Sequence, residues 1–231
     1  MFVHVPSRRP PPPPWATPLL AASWVAIFVW LATASTAARA SILRNWGTVP
    51  EGLFASPSAW WAPLLDERAP TLLTAIFIHA DWLHLTGNVA FLLIFGLSAE
   101  RTLGTLRFLV LLLLAGVASN LAAAVSLAGS VDSVVVGASG AISAVIGAYL
   151  VLFPNARLGV VLPLGLYLEF VRTPAALLIG IWAGLQVLLS FVGPSFGAVA
   201  WWAHIAGFLG GILFALLSRP AITRRLRQRQ R

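Results

Sequence analysis

Long apolar runs, interrupted by short polar clusters, organise this chain. The runs approach the roughly 20 helical residues needed to cross a hydrocarbon core of about 30 Å. They predict six membrane-crossing helices, at about 18–38, 82–99, 105–128, 139–153, 174–192 and 202–217. Breakers stand where runs stop: Pro154-Asn155 closes the fourth and Gly193-Pro194 the fifth. A connection of about thirty residues separates the first two runs. Its Trp46, Trp60 and Trp61 suit the headgroup level, where an indole ring is half immersed.

Ahead of the first run, Arg8-Arg9 and the prolines from Pro10 to Pro14 predict a polyproline lead-in, because proline lacks the amide proton a helix needs. The expected organisation is a Pro/Arg-rich N-terminal tail over 1–16, a membrane domain over 17–218 and an Arg-rich tail over 219–231. Arg8-Arg9, an apolar run and Thr36-Ala37-Ala38-Arg39-Ala40 also resemble a secretory signal. The run exceeds the about 7–15 residues of a signal core, so it reads as a retained span.

Composition sharpens the class. Hydrophobic residues make up 59% of the 231 positions, charged residues only 10%, and the mean hydropathy is +0.89. A soluble domain needs more surface charge than this. Absence of cysteine excludes disulfides and thiolate metal sites. A net charge of +8 and a pI near 11.7 would fit nucleic-acid binding, but the arginines sit at the ends of apolar runs. Six follow Leu217: Arg219, Arg224, Arg225, Arg227, Arg229 and Arg231. With both termini in the cytoplasm, twelve of the fifteen arginines lie inside, and only Arg39, Arg44 and Arg68 lie outside. The predicted fold is therefore an all-α, six-helix polytopic membrane protein with both termini cytoplasmic. Its environment is the lipid bilayer, with no nucleic-acid partner.

Polar residues inside membrane spans are costly and mark function by default. Three clusters qualify. In the first, Gly137 and Gly140 flank Ser139 at the start of an apolar run. Glycines let the backbone bend and approach closely, and a helix start offers amides that stabilise an oxyanion. Small residues there equally suit helix packing. In the second, His204 opens the last run, with Gly207, Gly210 and Gly211 clearing a face for a neighbouring helix. A neutral imidazole accepts a serine proton near neutral pH. In the third, His84 and Asn88 lie one helical turn apart and both donate hydrogen bonds. His79 falls about 140° away on an ideal helix, which suggests a structural role in holding the preceding loop. Four histidines without a His-Glu-x-x-His pattern argue against a metal site, and no cofactor is expected.

The ordered set His79-x4-His84-x3-Asn88, Gly137-x-Ser139-Gly140 and Ala203-His204-x2-Gly207-x3-Gly211 resembles the signature of the rhomboid intramembrane serine proteases. Glu100-Arg101-x2-Gly104 is similar to another pattern of that family, and the likeness covers about 18–217. The resemblance implies Ser139 as nucleophile, His204 as general base and acid, and an oxyanion hole from His84, Asn88 and the Ser139 amide. It also implies membrane-protein substrates cut within or near a transmembrane segment, with entry beside the fifth span. Six spans without an added domain suit a bacterial plasma membrane.

Two departures stand out. Arg68-Ala69-Pro70-Thr71 replaces the family's Trp-Arg loop motif, so the loop needs another anchor, with Trp60-Trp61 a loose substitute. Ser143 stands where many members place an aromatic against the histidine. The alternative is thus a catalytically inactive rhomboid-like protein that binds or escorts membrane clients. A transporter is disfavoured, since related halves are absent and acids in the spans are scarce, Asp81 alone lying near one. Oligomeric state is left open, because glycine-rich faces serve internal and intermolecular contacts equally.

Overall fold

The computed structural model describes residues 13–53, 66–128, 130, 132–164, 167–192 and 200–228. His4, Arg8-Arg9, Trp60-Trp61, Gly193-Pro194, Arg229 and Arg231 lie outside the described residues. The helices are α1 (Ala16–Thr33), α2 (Thr36–Trp46), α3 (Pro50–Leu53), α4 (Thr71–Thr74), α5 (Trp82–Phe91), α6 (Leu97–Leu103), α7 (Thr105–Ser126), α8 (Ser139–Leu152), α9 (Ala175–Val192) and α10 (Trp201–Gln228). A 3-10 turn follows α4, and a π-helical segment, Leu92–Gly96, joins α5 to α6 as one continuous rod.

Among the described residues, five helices are long and apolar enough to cross a membrane: Ala16–Thr33, Trp82–Leu103, Thr105–Ser126, Ala175–Val192 and Trp201–Arg225. This is a multi-pass integral membrane protein. The fourth expected span differs. At 14 residues α8 rises only about 21 Å, short of the about 30 Å core. Eleven of its residues are buried, all round the helix. Protein and not lipid surrounds it, so its ends need not reach the headgroups.

Three further differences have local causes. The first helix stops at Thr33, where Ala34 turns extended and Ser35 caps a new helix by accepting a bond from the Ala38 amide at 3.3 Å. Hydropathy alone runs through that break to Ala38. The second rod continues to Leu103, past the expected end near Ala99, and so takes in a buried acid, Glu100. Finally, the chain is not all-α. Strands β1 (Arg157–Leu164) and β2 (Tyr167–Pro174) pair antiparallel, with Arg157 opposite Pro174 and Leu164 opposite Tyr167. The valines, leucines and aromatics of that stretch suit strands, but lie between two apolar runs that mask them.

Glu100 ties the amino end of the bundle together. Its Oε1 accepts from the Ala16 amide at 3.0 Å and the Thr105 hydroxyl at 2.8 Å. Its Oε2 accepts from the Thr17 amide and hydroxyl, both at 2.8 Å. The carboxylate thereby caps the otherwise unpaired amides of the α1 start, where a helix dipole favours negative charge. Buried acids survive only when bonded in this way.

The centre of the fold is the α8–α10 contact, closed over glycine. A Cβ on Gly207 would collide with the Gly140 carbonyl, one on Gly211 with Ala144, and one on Gly147 with the Phe208 carbonyl. Close backbone approach of this kind is how membrane helices gain dispersion contact without a hydrophobic driving force. Gly210 faces open space and takes no part. Gly207→Ala is therefore expected to destabilise the protein by about 1–3 kcal/mol through overpacking. Gly210→Ala should be neutral or stabilising by up to about 1 kcal/mol from helix propensity. Thermal unfolding of both variants in detergent measures the contrast; equal effects would contradict the seam.

Candidate active site

The seam places the start of α8 against the start of α10. Ser139 is the first residue of α8, and its Oγ lies 2.9 Å from His204 Nε2. The far ring nitrogen, Nδ1, lies 2.7 Å from Oε1 of Gln186 on α9. Trp201 meets the imidazole edge-on, with ring centroids 6.1 Å apart. Ser143 does not support the ring; it is buried and donates its hydroxyl proton to the Ser139 carbonyl at 2.7 Å. The missing aromatic is thus replaced by a glutamine and a tryptophan from elsewhere in the chain.

The cavity in front of Ser139 measures about 220 Å³, and its polar walls are His84, Asn88, Ser139, Ser143, Gln186 and His204. Among the described residues, none that lines it is an acid. Asp81 caps α5 by accepting from the His84 amide at 2.8 Å, which fixes where that helix begins. One turn on, Asn88 donates a side-chain proton to the His84 carbonyl at 2.9 Å. That uses one of its two amide protons. Gly137 adopts φ +113°, a conformation that favours glycine. A side chain there would also strike the His84 ring. Gly140 packs directly on Ser119 of α7.

The described part of the connection between α1 and α5 is anchored by other contacts. Thr48 and Val135 exchange backbone bonds at 2.9 and 2.8 Å, joining the loop to the segment leading into Ser139. Asn120 donates to the Leu72 carbonyl at 2.8 Å, and Thr74 to the Trp46 carbonyl at 2.6 Å. Arg39 binds the Ala80 carbonyl and lies over the Phe28 ring. Arg44 pairs with Asp132 at 3.0 Å on the exposed surface.

His79 lies in the loop ahead of α5, so the helical angle expected between it and His84 does not apply. Its ring packs edge-on against His84 at 5.3 Å and at a tilt against Trp24 at 5.6 Å. It is fully buried, and neither ring nitrogen has a hydrogen-bond partner among the described residues. Burial, reinforced by His84 and opposed by Asp81, lowers its pKa to about 3. No group of histidines and acids able to hold a metal occurs among the described residues.

The sequence reading passed over Gln186. Its signal was present: a lone amide in the apolar run 175–192. Chemically, a serine bonded to a neutral imidazole can pass its proton to the ring as the oxygen attacks an electrophile. Amides at the α8 start and the Asn88 side chain border the same space and suit developing negative charge.

Comparison with known proteins points to one family. A family profile described as the rhomboid domain matches residues 66–221. "Putative rhomboid protease YdcA" of Bacillus subtilis strain 168 is 32% identical over 160 residues, which is 68% of this chain and 67% of that protein. "RHOMBOID-like protein 6, mitochondrial" of Arabidopsis thaliana is 27% identical over 158 residues, 59% of this chain and 50% of the relative.

The folded site refuses a proton that an unfolded His79 accepts. Stability is therefore expected to be fully present above about pH 6.5 and to decline as pH falls toward about 3. His79→Phe, which keeps a buried ring and removes the titration, should lessen that decline. Unfolding midpoints measured across this range check it; an unchanged slope would contradict a neutral, buried His79.

Proposed function

The chain belongs to the rhomboid family, and on that premise we propose that it is an intramembrane serine endopeptidase working through a Ser139–His204 dyad. The observation that carries the reading is the 2.9 Å bond between Ser139 Oγ and His204 Nε2 at a part-buried cavity with no acid in its lining among the described residues. Ser139 Oγ attacks the scissile carbonyl while His204 takes its proton. The oxyanion faces the Ser139 amide, Asn88 and His84. His204 then returns the proton to the leaving amine, and water, activated by the same ring, hydrolyses the acyl-enzyme. His79, Gly137, Gly140, Gly207 and Gly211 support this geometry without touching the substrate. Substrates are membrane proteins cut within or near a transmembrane segment; neither metal nor cofactor takes part.

In the proposed topology α8 is the sixth transmembrane helix, both termini are cytoplasmic, and the protein sits in a bacterial plasma membrane. The excess of arginine on the proposed inner side supports this orientation, and the Bacillus relative supports the host. The membrane domain of 17–218 then carries arginines on its inner face, where α10 extends through Pro220 to Gln228.

The test is cleavage of single-pass membrane proteins co-reconstituted in liposomes. Ser139→Ala and His204→Ala should each lower the rate by at least about 100-fold, with unfolding midpoints near wild type. Activity should fall at acid pH, because imidazolium cannot accept the serine proton. A rate that is flat from about pH 5 to about pH 8 contradicts His204 as base. Folded wild type that captures membrane proteins yet never cuts them would favour the client-binding alternative.

A further inference from the structure

Helix α9 is the least enclosed of the long helices. Leu177, Ile181, Leu185, Leu188 and Phe191 are all exposed, and only Ala175, Ile179 and Gln186 are buried along its length. Gln186 is the one polar side chain among those three, at 8% exposure. An amide in such a helix is costly unless it is bonded. Its bond goes to the ring nitrogen of His204 that does not face Ser139. Gln186 and His204 together line both the cavity before Ser139 and a second, apolar cleft of about 280 Å³ between α9 and α10. Trp182 also borders both.

We propose that Gln186 is a positioning residue for the dyad: its carbonyl oxygen holds the proton of His204 on Nδ1, so that Nε2 presents its lone pair to Ser139. The inference rests on the protease reading of the site. Oε1 accepts only, so a proton must sit on Nδ1 for the 2.7 Å contact to be a hydrogen bond. Neutral imidazole carries one N–H, and Nε2 is then free to accept. In the opposite tautomer Nε2 would donate to the serine oxygen and could not take its proton. A serine triad assigns this task to a buried carboxylate, which also stabilises the imidazolium. Here a neutral amide sets tautomer and ring angle without adding charge. When Nε2 accepts the Ser139 proton, Nδ1–H stays bonded to Gln186, and the new proton passes on to the leaving amine.

The surroundings leave Gln186 little competition. The groups facing the imidazole are Ser139 from α8, Gln186 from α9, His84 from across the cavity on α5, and Trp201 on its own helix. None is an acid. The Trp201 edge restrains the ring's plane but does not choose its tautomer. Because Gln186 rides on α9, a shift of that helix away from α10 breaks the bond and releases the imidazole.

The experiment measures labelling of purified protein by a fluorophosphonate probe, resolved into maximal rate and half-saturating concentration across pH. Wild type labels and Ser139→Ala does not, which establishes the underlying reading before any Gln186 variant is made. Gln186→Leu is expected to lower the maximal rate by about 10- to 100-fold, as loss of an orienting partner does elsewhere. Half-saturation and unfolding midpoint should stay near wild type. Gln186→Glu restores an acceptor and should recover most of the rate. Its carboxylate favours imidazolium, so the acid limb of the profile should move to higher pH.

Wild-type rate and pH profile in Gln186→Leu would overturn the proposal while leaving the protease reading intact. So would an unshifted acid limb in Gln186→Glu, or equal losses in both variants with lowered unfolding midpoints, which describe a packing residue. Wild type that never labels overturns the protease reading and this inference with it.

Discussion

Everything at the proposed site depends on how closely two backbones approach. Ser139 and His204 are 65 positions apart in sequence; Ser139 opens α8 and His204 lies in the first turn of α10. They meet because α8 and α10 cross with the Gly140 carbonyl seated on Gly207 and the Ala144 carbonyl on Gly211. A methyl group at either glycine would wedge the helices apart by more than a hydrogen bond tolerates. In a bilayer, lipid tails compete with side chains for the same dispersion contact. A backbone-to-backbone seam gains contact that lipid does not match. Burial of α8 on all sides follows from this, and so does its shortness.

Around that seam the chain uses very few polar groups, and nearly all are spoken for. Glu100 satisfies the start of α1, Asn120 and Thr74 hold the connection between α1 and α5, and Asp81 starts α5. Among the described residues, no carboxylate lines the cavity to compete for the His204 proton. The ring is bonded on both nitrogens, to Ser139 and Gln186. His79 stands apart: buried, packed against His84 and Trp24, and held neutral by its surroundings.

Much of this was legible in the sequence, for physical reasons. Hydropathy finds long runs, and five of the six expected spans are helices of membrane-crossing length. It cannot tell that the run at 139–152 is wrapped by protein, because burial in protein and immersion in lipid select the same side chains. Nor does it see the break at Ala34-Ser35 or the pairing of the two strands after α8, because hydropathy does not register backbone bonding. The polar clusters around Ser139, His204, His84 and Asn88 stood out against an apolar background, and the fold gathers all four side chains at one cavity. Gly207 and Gly211 were visible as a spacing, whereas the inertness of Gly210 needed coordinates. Gln186 was missed because a single amide has no pattern, and its partner lies 18 positions away on another helix.

The most direct test of the central claim identifies the nucleophile chemically. Wild-type protein in lipid bilayers would be treated with a fluorophosphonate, digested and sequenced by mass spectrometry. The account requires a single adduct on Ser139, absent from His204→Ala, while Ser119 and Ser143 beside it stay unmodified. An adduct on either of those neighbours, or none on folded protein, would contradict an activated Ser139.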